Sequence, residues 1–220
     1  MTLELKKRIV TSAFLLVLLC LMYFYTFVLI ISVIIFSIIS WIEFNGLIFK
    51  IFKKNKNKDK LLRFCYKTIS LMYFSLLIYL VLLIKSQKPD FEIFIIFSIL
   101  ISIMSDVGGL VVGKTFKGKK LTKISPNKTV SGSIGSFIFS LSLIPIFLEY
   151  LTNYDLLTLS IITLIISLTS QLGDLLISFL KRKAKVKNTS DLLPGHGGIL
   201  DRIDGIIFSI PIGFLLLVSF

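Results

Sequence analysis

Long apolar stretches recur along almost the whole chain and limit its fold more than any other feature. Residues 9–49 carry only one charged side chain, Glu43. Comparable stretches lie at 64–84, 91–113, 130–150, 156–180 and 199–220. A bilayer core about 30 Å thick requires about 20 apolar residues per helix. Hydrophobic residues make up 55% of the 220 residues, more than one soluble core can bury. The sequence therefore predicts an all-α fold, a polytopic transmembrane helical bundle.

The basic residues lie mainly in the loops between these stretches. If residues 9–49 form two spans, at 9–26 and 28–49, every basic loop falls on one side of the membrane. The chain then has about seven spans. Because loops rich in lysine and arginine stay in the cytoplasm, the N-terminus is predicted to be cytoplasmic. A re-entrant segment within residues 9–49 is the alternative, since no charged loop divides that stretch.

The net charge of +13 is explained by these loops, so it does not indicate a nucleic-acid partner. We expect residues 1–100 to form N-terminal transmembrane helices and residues 101–220 to form a catalytic membrane domain. Cytoplasmic loops are expected at 114–129 and 181–200. The two cysteines have no metal-ligand spacing and lie in or beside apolar spans, so both are predicted to be inert core residues.

Two acidic residues interrupt apolar spans near the predicted cytoplasmic side. Asp106 lies eight residues before Lys114, and Asp174 lies seven residues before Lys181. At about 1.5 Å per residue, both carboxylates lie roughly 10–12 Å below the interface. A carboxylate at that depth costs on the order of 3 kcal/mol, so it needs a partner, a cavity or a metal ion. Their matching depth predicts that the two acids share one polar cavity.

Each acid belongs to a polar stripe with helical spacing. The stripes are Ser98, Ser102 and Asp106, and Gln171, Asp174, Ser178 and Lys181. Side chains three or four residues apart lie on the same face of a helix, so each stripe directs its polar groups to one side. The alternative interpretation is an interhelical hydrogen-bonding seam, with residues 109–113 as a glycine-flanked packing face.

A lysine-rich loop follows the first of these stripes. Residues 113–129 contain six lysines together with glycines and hydroxyl side chains. Ammonium groups bind phosphate as point charges, and backbone amides approach a ligand closely at glycine. We therefore expect Ser125, Lys128 and Thr129 to contribute to phosphate binding. The alternative is an ordinary basic loop on the cytoplasmic side of a membrane protein.

A second candidate site lies near the C-terminus. Glycines flank the only histidine, His196, in a turn where backbone can approach a ligand. Asp201 and Asp204 follow at i and i+3, so their carboxylates share one face of the first turn of the last helix. With Asp174 they form a candidate Mg²⁺ site that would also take substrate phosphates. A salt-bridged cap with Arg202 is the alternative.

This C-terminal segment resembles the signature of phosphatidate cytidylyltransferases, the CDP-diacylglycerol synthases. The matching residues are Ser178, Lys181, Arg182, Lys187, His196, Gly197, Gly198, Asp201, Arg202 and Asp204. Asp106 and residues 113–116, 124–129 and 132 are similar to the family's second block, and Trp41 and Glu43 are similar to an N-terminal element. Together these blocks cover about half of the chain.

The chain departs from the family's pattern in three places. Asn188 stands where an aspartate is usual, and Ser131 stands where an acid or amide is common. The usual order Phe-Gly-Lys reads Phe116-Lys117-Gly118 in this chain.

The resemblance implies a nucleotidyltransferase of phospholipid biosynthesis, which converts CTP and phosphatidic acid into CDP-diacylglycerol and diphosphate. A phosphate monoester with a second pKa of about 6 is already a competent nucleophile at neutral pH. Positioning and charge neutralisation would therefore supply most of the catalysis.

The resemblance also implies roles for individual residues. Mg²⁺, alone or with a second cation, would be held by Asp174, Asp201 and Asp204. Phosphates would be held by Lys128, Lys181, Arg182 and Lys187. His196 would orient the substrate or donate a proton, and Arg202 belongs to the same catalytic set. The residues expected to line the binding site or to contact the substrate are Asp106, Ser125, Thr129, Ser178, Gly197 and Gly198.

The expected partners are CTP and phosphatidic acid as substrates and the membrane lipids, with no nucleic acid. Glycine-rich helix faces also allow a homodimer. The expected location is a bacterial inner membrane, with the active site facing the cytoplasm. One rival is a related CTP-using lipid kinase, or a cytidylyltransferase for another lipid. Another is a cation transporter whose intramembrane acids form an ion path.

Overall fold

A computed structural model describes residues 3–53, 57–87, 90–122, 125, 128–195 and 197–219. The described residues form eight helices: α1 (Leu3–Phe24), α2 (Thr26–Ile51), α3 (Asn57–Gln87), α4 (Asp90–Phe116), α5 (Val130–Leu141), α6 (Ile144–Phe147), α7 (Leu156–Lys183) and α8 (Leu200–Ser219). Apart from two isolated β-bridges, the described residues form no β-strands. Of the predicted site residues, only His196 lies outside the described residues.

The predicted polytopic helical bundle is confirmed. Counted over the described residues, six helical stretches are long and apolar enough to cross a membrane. They are Thr26–Ile51, Asn57–Leu83, Glu92–Phe116, Val130–Phe147, Leu156–Lys183 and Leu200–Ser219. A shorter apolar helical stretch, Ile9–Phe24, precedes them. The chain is therefore an integral, multi-pass membrane protein.

The break within residues 9–49 falls at Tyr25. Its backbone is extended, with φ −131° and ψ 102°, and it separates α1 from α2. At about 1.5 Å per residue, the 26 residues of α2 are long enough to cross the bilayer by themselves. The stretch is therefore divided into two helices, of which α2 is a candidate span and the apolar part of α1, Ile9–Phe24, is shorter; the re-entrant alternative stays open.

The chain divides into two compact units, each built from segments distant in sequence. The first unit comprises Met1–Ser86 and Leu180–Ile203, and the second comprises Gln87–Phe179 and Asp204–Phe220. The predicted division near residue 100 separates N-terminal membrane helices from a catalytic part of the chain. The packing of the helices does not test this assignment of function. It stays a prediction.

In the first unit, α1 and α2 pack against each other, and Leu29 and Leu47 of α2 and Val81 of α3 are almost fully buried. Cys20 and Cys65 are exposed, so the prediction that they are core residues is wrong. Lipid tails are as apolar as leucine. An apolar neighbourhood in the sequence of a membrane protein therefore does not indicate burial in the protein.

In the second unit, α4 and α5 pack closely through glycines. A methyl group added at Gly135 would overlap the Val112 side chain and lie 2.7 Å from the carbonyl oxygen of Gly108. Such small residues let helix backbones approach in a membrane. The glycine-rich face of α4 is thus used within the chain.

Serine side chains connect the helices of the second unit. The Ser136 hydroxyl donates to the carbonyl oxygen of Ser105 at 2.7 Å, and the hydroxyls of Ser102 and Ser170 lie 2.7 Å apart. Both contacts are buried. The alternative interpretation of the first polar stripe, an interhelical hydrogen-bonding seam, is therefore confirmed for Ser102.

Candidate active site

A cavity of about 560 Å³ lies within the second unit. Its lining includes Asp106 and Lys114 of α4, Lys128 and Thr129 of the following loop, and Asp174 of α7. The prediction that Asp106 and Asp174 share one cavity is confirmed. Apolar helices thus border an open space whose lining includes both carboxylates and ammonium groups, which is suited to a charged ligand.

Lys128 and Asp174 form an ion pair at this cavity. Both side chains are about a quarter exposed, at 25% and 23%. The Ser178 hydroxyl, one helical turn further along α7, donates to Oδ1 of Asp174 at 3.3 Å. The lysine-rich loop and the second polar stripe therefore meet at Asp174, and Lys128 supplies the partner that this intramembrane carboxylate requires.

The end of the lysine-rich loop is organised by backbone hydrogen bonds. The Lys128 N–H donates to the Ser125 carbonyl at 3.1 Å, and the Leu121 N–H donates to the Lys128 carbonyl at 2.8 Å. Thr129 then caps α5, because its hydroxyl oxygen accepts from the Gly132 N–H at 3.0 Å. Ser125 and Thr129 thus shape the loop that presents Lys128, and their predicted contacts with substrate stay predictions.

The structure shows the physical consequences of two differences from the family's pattern near this loop. The backbone of Lys117 has φ 42°, in the left-handed region that favours glycine, and the family's usual order places glycine at this position. Ser131, in place of an acid or amide, accepts a hydrogen bond from the Gly118 N–H at 3.2 Å. The loop start is therefore held by Ser131, while Lys117 takes up an unfavourable backbone conformation.

Gln171 is a lining residue whose importance the sequence did not indicate. It is 8% exposed, and its Oε1 accepts from the Ser133 hydroxyl at 2.5 Å. Within the described part of the chain, its Nε2 is buried without a hydrogen-bond partner. The sequence identifies Gln171 only as a member of the polar stripe, because the spacing of residues along one helix does not reveal which other helix faces them.

In the first unit, Asp201 accepts four hydrogen bonds at the start of α8. The Lys181 ammonium donates to Oδ1 at 2.7 Å. Oδ2 lies 2.8 Å from the Thr189 N–H, 3.0 Å from the Thr189 hydroxyl and 3.0 Å from the Gly198 N–H. The alternative interpretation, a salt-bridged cap with Arg202, stays a prediction, and the ion pair that the structure describes for Asp201 is with Lys181.

The glycine turn before α8 is a tight structure. Leu193 and Gly197 exchange two backbone hydrogen bonds, at 2.8 and 3.1 Å, and Gly197 has φ 86°. A side chain at Gly198 would collide with the Thr189 hydroxyl and the Glu43 carboxylate. The backbone thus approaches neighbouring protein groups closely, and the Gly198 N–H donates to Asp201; the predicted approach to a ligand stays a prediction.

Glu43 of α2 was named by the resemblance to an N-terminal element, but it was given no role. Its carboxylate is buried, at 7% exposure. It accepts from the hydroxyls of Thr189 and Ser190 and from the N–H groups of Ile199 and Leu200. The signal in the sequence was the lone charge of residues 9–49, together with a weak similarity to the family.

The other predicted residues differ in exposure. Arg182, Lys187 and Arg202 are exposed, whereas Asp204, in the second unit, is 6% exposed. The Asp204 carboxylate accepts from the Gly205 N–H at 3.0 Å. No three His, Cys, Asp or Glu side chains among those described are grouped so that they could hold a metal ion.

The chain matches a family model along nearly its whole length. The model of the cytidylyltransferase family matches residues 2–220. A phosphatidate cytidylyltransferase of Staphylococcus haemolyticus is 36% identical over 162 residues, which are 72% of this chain and 58% of that protein. One of Bacillus subtilis is 37% identical over 155 residues, 70% of this chain and 58% of that protein.

A phosphatidate cytidylyltransferase of Rickettsia bellii is 43% identical over 121 residues, 50% of this chain and 52% of that protein. The alignments thus span about half to three-fifths of the relatives' length. The family model nevertheless extends over all the elements that carry the site. The chain therefore belongs to the cytidylyltransferase family.

Proposed function

We propose that this protein transfers the cytidylyl group of CTP to phosphatidic acid, giving CDP-diacylglycerol and diphosphate. The relatives named phosphatidate cytidylyltransferase support this proposal. The observation that carries it is the cavity among apolar helices that is lined by both lysine and aspartate side chains. A lipid phosphate and a nucleotide need such a combination of cationic groups, acidic groups and access from the bilayer.

The reaction is a displacement at phosphorus. A phosphate oxygen of phosphatidic acid attacks the α-phosphorus of CTP and forms the new P–O bond. The bond from the α-phosphorus to the oxygen that bridges it to the β-phosphorus breaks, and diphosphate leaves with that electron pair. Because the nucleophile is already anionic at neutral pH, the protein must mainly position the reactants and neutralise their charge.

Lysine and arginine side chains supply that neutralisation. Lys114 and Lys128 line the cavity, and Lys128 is oriented by its pair with Asp174. In the other unit, Arg182 and Lys187 are exposed, so phosphates can reach them. We assign these cations to the phosphates of CTP and of the lipid. Asp106 and Thr129 would contact the substrate from the cavity wall.

Mg²⁺ would be held by one or two of the carboxylates Asp174, Asp201 and Asp204, since no three of the described side chains form one metal site. Carboxylate oxygens are the ligands that Mg²⁺ prefers, and it commonly uses one or two of them together with substrate phosphates and water. Asp174 and Asp201 each already attract a lysine ammonium group, so both positions favour a cation. When bound, the ion would stabilise the charge that develops on the leaving diphosphate.

The proposed site faces the cytoplasm of a bacterium, from the inner membrane. The distribution of basic loops supports this orientation, and CTP is found in that compartment. Basic residues near the surface would also concentrate an anionic lipid, at about 1 kcal/mol per residue.

The deciding experiment uses purified protein in mixed micelles with phosphatidic acid, CTP and Mg²⁺. We expect CDP-diacylglycerol and diphosphate, no product with a chelator, and no product with Asp201→Asn. Asp191→Asn, an exposed acid of the same loop, is the matched control and should retain activity. Release of CDP instead of diphosphate would indicate a CTP-using kinase, and cation flux in sealed vesicles without lipid turnover would indicate a transporter.

A further inference from the structure

Glu43 links α2 to the segment that precedes α8. Its Oε2 accepts from the Thr189 hydroxyl at 2.9 Å and from the Leu200 N–H at 2.8 Å. Its Oε1 accepts from the Ser190 hydroxyl at 2.6 Å and from the Ile199 N–H at 3.1 Å. One buried carboxylate therefore fixes both ends of residues 189–200.

The two backbone donors explain why an acid is suited to this position. The first N–H groups of a helix have no partner within the helix, and α8 begins at Leu200. The Glu43 carboxylate satisfies the amides of Ile199 and Leu200 from another helix. A negative charge there also interacts favourably with the helix dipole.

The two hydroxyl donors connect Glu43 to the proposed active site. The Thr189 hydroxyl lies 2.9 Å from Glu43 and 3.0 Å from Asp201. A hydroxyl has a single proton, so the two carboxylates share one donor. The orientation of Asp201, and with it that of its partner Lys181, depends on a threonine that Glu43 holds.

A second contact from the N-terminal helices acts on the same segment. The hydroxyl of Thr11 in α1 lies 3.0 Å from the carbonyl oxygen of Pro194 and 2.9 Å from that of Lys7, and its single proton is shared between them. The segment is thus held in its middle by α1 and at its ends by α2. Gly198 is required for this arrangement, because any side chain there would occupy the space of the Glu43 carboxylate.

We propose that Glu43 is a positioning residue for the C-terminal signature: its carboxylate fixes residues 189–200 and thereby orients Asp201 and Lys181. The first two helices then complete the active site and are not only a membrane anchor. The consequence for catalysis rests on the proposed function, whereas the placement of the segment does not.

The test compares wild-type protein with Glu43→Gln and Glu43→Asp. The amide of glutamine has one acceptor oxygen and a donor that faces other donors, so hydrogen bonds to residues 189–200 are lost. Three quantities are measured on the folded, monodisperse protein: hydrogen exchange of residues 189–203, acylation of Lys181 relative to the exposed Lys183, and steady-state kinetics.

For Glu43→Gln we expect faster exchange at Ile199 and Leu200 and faster acylation of Lys181. We also expect kcat to fall about ten- to a hundredfold, as misplacement of catalytic groups does, with KM for phosphatidic acid unchanged. Glu43→Asp keeps the charge and should recover part of kcat. Ser40→Ala is the matched control, since this buried serine of α2 has no hydrogen-bond partner in the described part of the chain, and it should match wild type.

The outcomes separate the two proposals. Unchanged exchange and acylation in Glu43→Gln would overturn the positioning role, whatever the activity. Altered exchange with wild-type kcat would show that Glu43 is structural only, which also overturns it. A wild-type protein without activity on CTP and phosphatidic acid would refute the proposed function, while exchange and acylation would still decide whether Glu43 places Lys181 and Asp201.

Discussion

Single side chains of the turn before α8 fit so closely that one methyl group matters. A Cβ at Gly198 would collide with the Thr189 hydroxyl and the Glu43 carboxylate. We expect Gly198→Ala to lower the free energy of unfolding by about 1–3 kcal/mol, as overpacking does, and to abolish activity. Thermal unfolding in detergent measures the first effect, and CDP-diacylglycerol synthesis measures the second.

Gly46 provides the matched comparison for that variant. A Cβ there meets nothing within 4 Å, so Gly46→Ala should stabilise α2 by about 0.5–1 kcal/mol through the lower entropy of the unfolded chain. Equal stability of the Gly198 and Gly46 variants would contradict the close packing around Glu43.

Lys117 is a residue whose backbone conformation is unfavourable. Left-handed conformations cost a non-glycine residue roughly 1–2 kcal/mol, and Lys117 has φ 42°. We therefore expect Lys117→Gly to raise the midpoint of thermal unfolding, whereas Lys119→Gly, an exposed position of the same loop, should lower it or leave it unchanged. A lower midpoint for Lys117→Gly would show that the loop does not strain this residue.

At the level of helices, the contact of α4 with α5 depends on glycine. A Cβ at Gly135 would overlap Val112 and approach the Gly108 carbonyl. Gly135→Val should therefore destabilise the protein by about 3 kcal/mol and disturb the cavity between these helices. Ile134→Val changes a neighbouring exposed residue and serves as the control in the same unfolding assay. Near-equal midpoints for the two variants would refute the close contact.

Most helices could be predicted from the sequence, because an apolar stretch of membrane-spanning length has few alternatives to a helix in lipid. The division of the predicted span 130–150 into α5 and α6 was missed. Its signal was Pro145, which lies in the first turn of α6, since proline favours that position and restricts the residue before it.

The candidate site was predictable only in part. The depth of Asp106 and Asp174 was enough to predict their shared cavity, since depth follows from position along a helix. The hydrogen bonds of Glu43 join residues up to 157 positions apart. The periodicity of residues within one helix contains no information on which distant segment that helix contacts. The role of Glu43 could therefore not be derived from residue spacing.

For the whole molecule, the orientation in the membrane is open to a direct test. With Cys20 and Cys65 replaced by serine, Lys119→Cys and Asn153→Cys each place one reactive thiol in an exposed connection. If the basic loops are cytoplasmic, an impermeant maleimide should label intact cells at position 153 only. Position 119 should react after permeabilisation. The reverse labelling pattern would mean that the protein has the opposite orientation in the membrane. The proposed site would then lie on the side of the membrane that lacks CTP.

The discontinuous first unit has a consequence for biosynthesis. The ribosome makes α2 early, but the donors that surround Glu43 arrive only with residues 189–200. At about 5–20 residues per second, the carboxylate waits on the order of ten seconds or more in a nascent, membrane-inserted chain. Until then α2 carries an acid whose exposure to lipid costs on the order of 3 kcal/mol. Chains that stall before the last helix should therefore be selectively removed by membrane quality control.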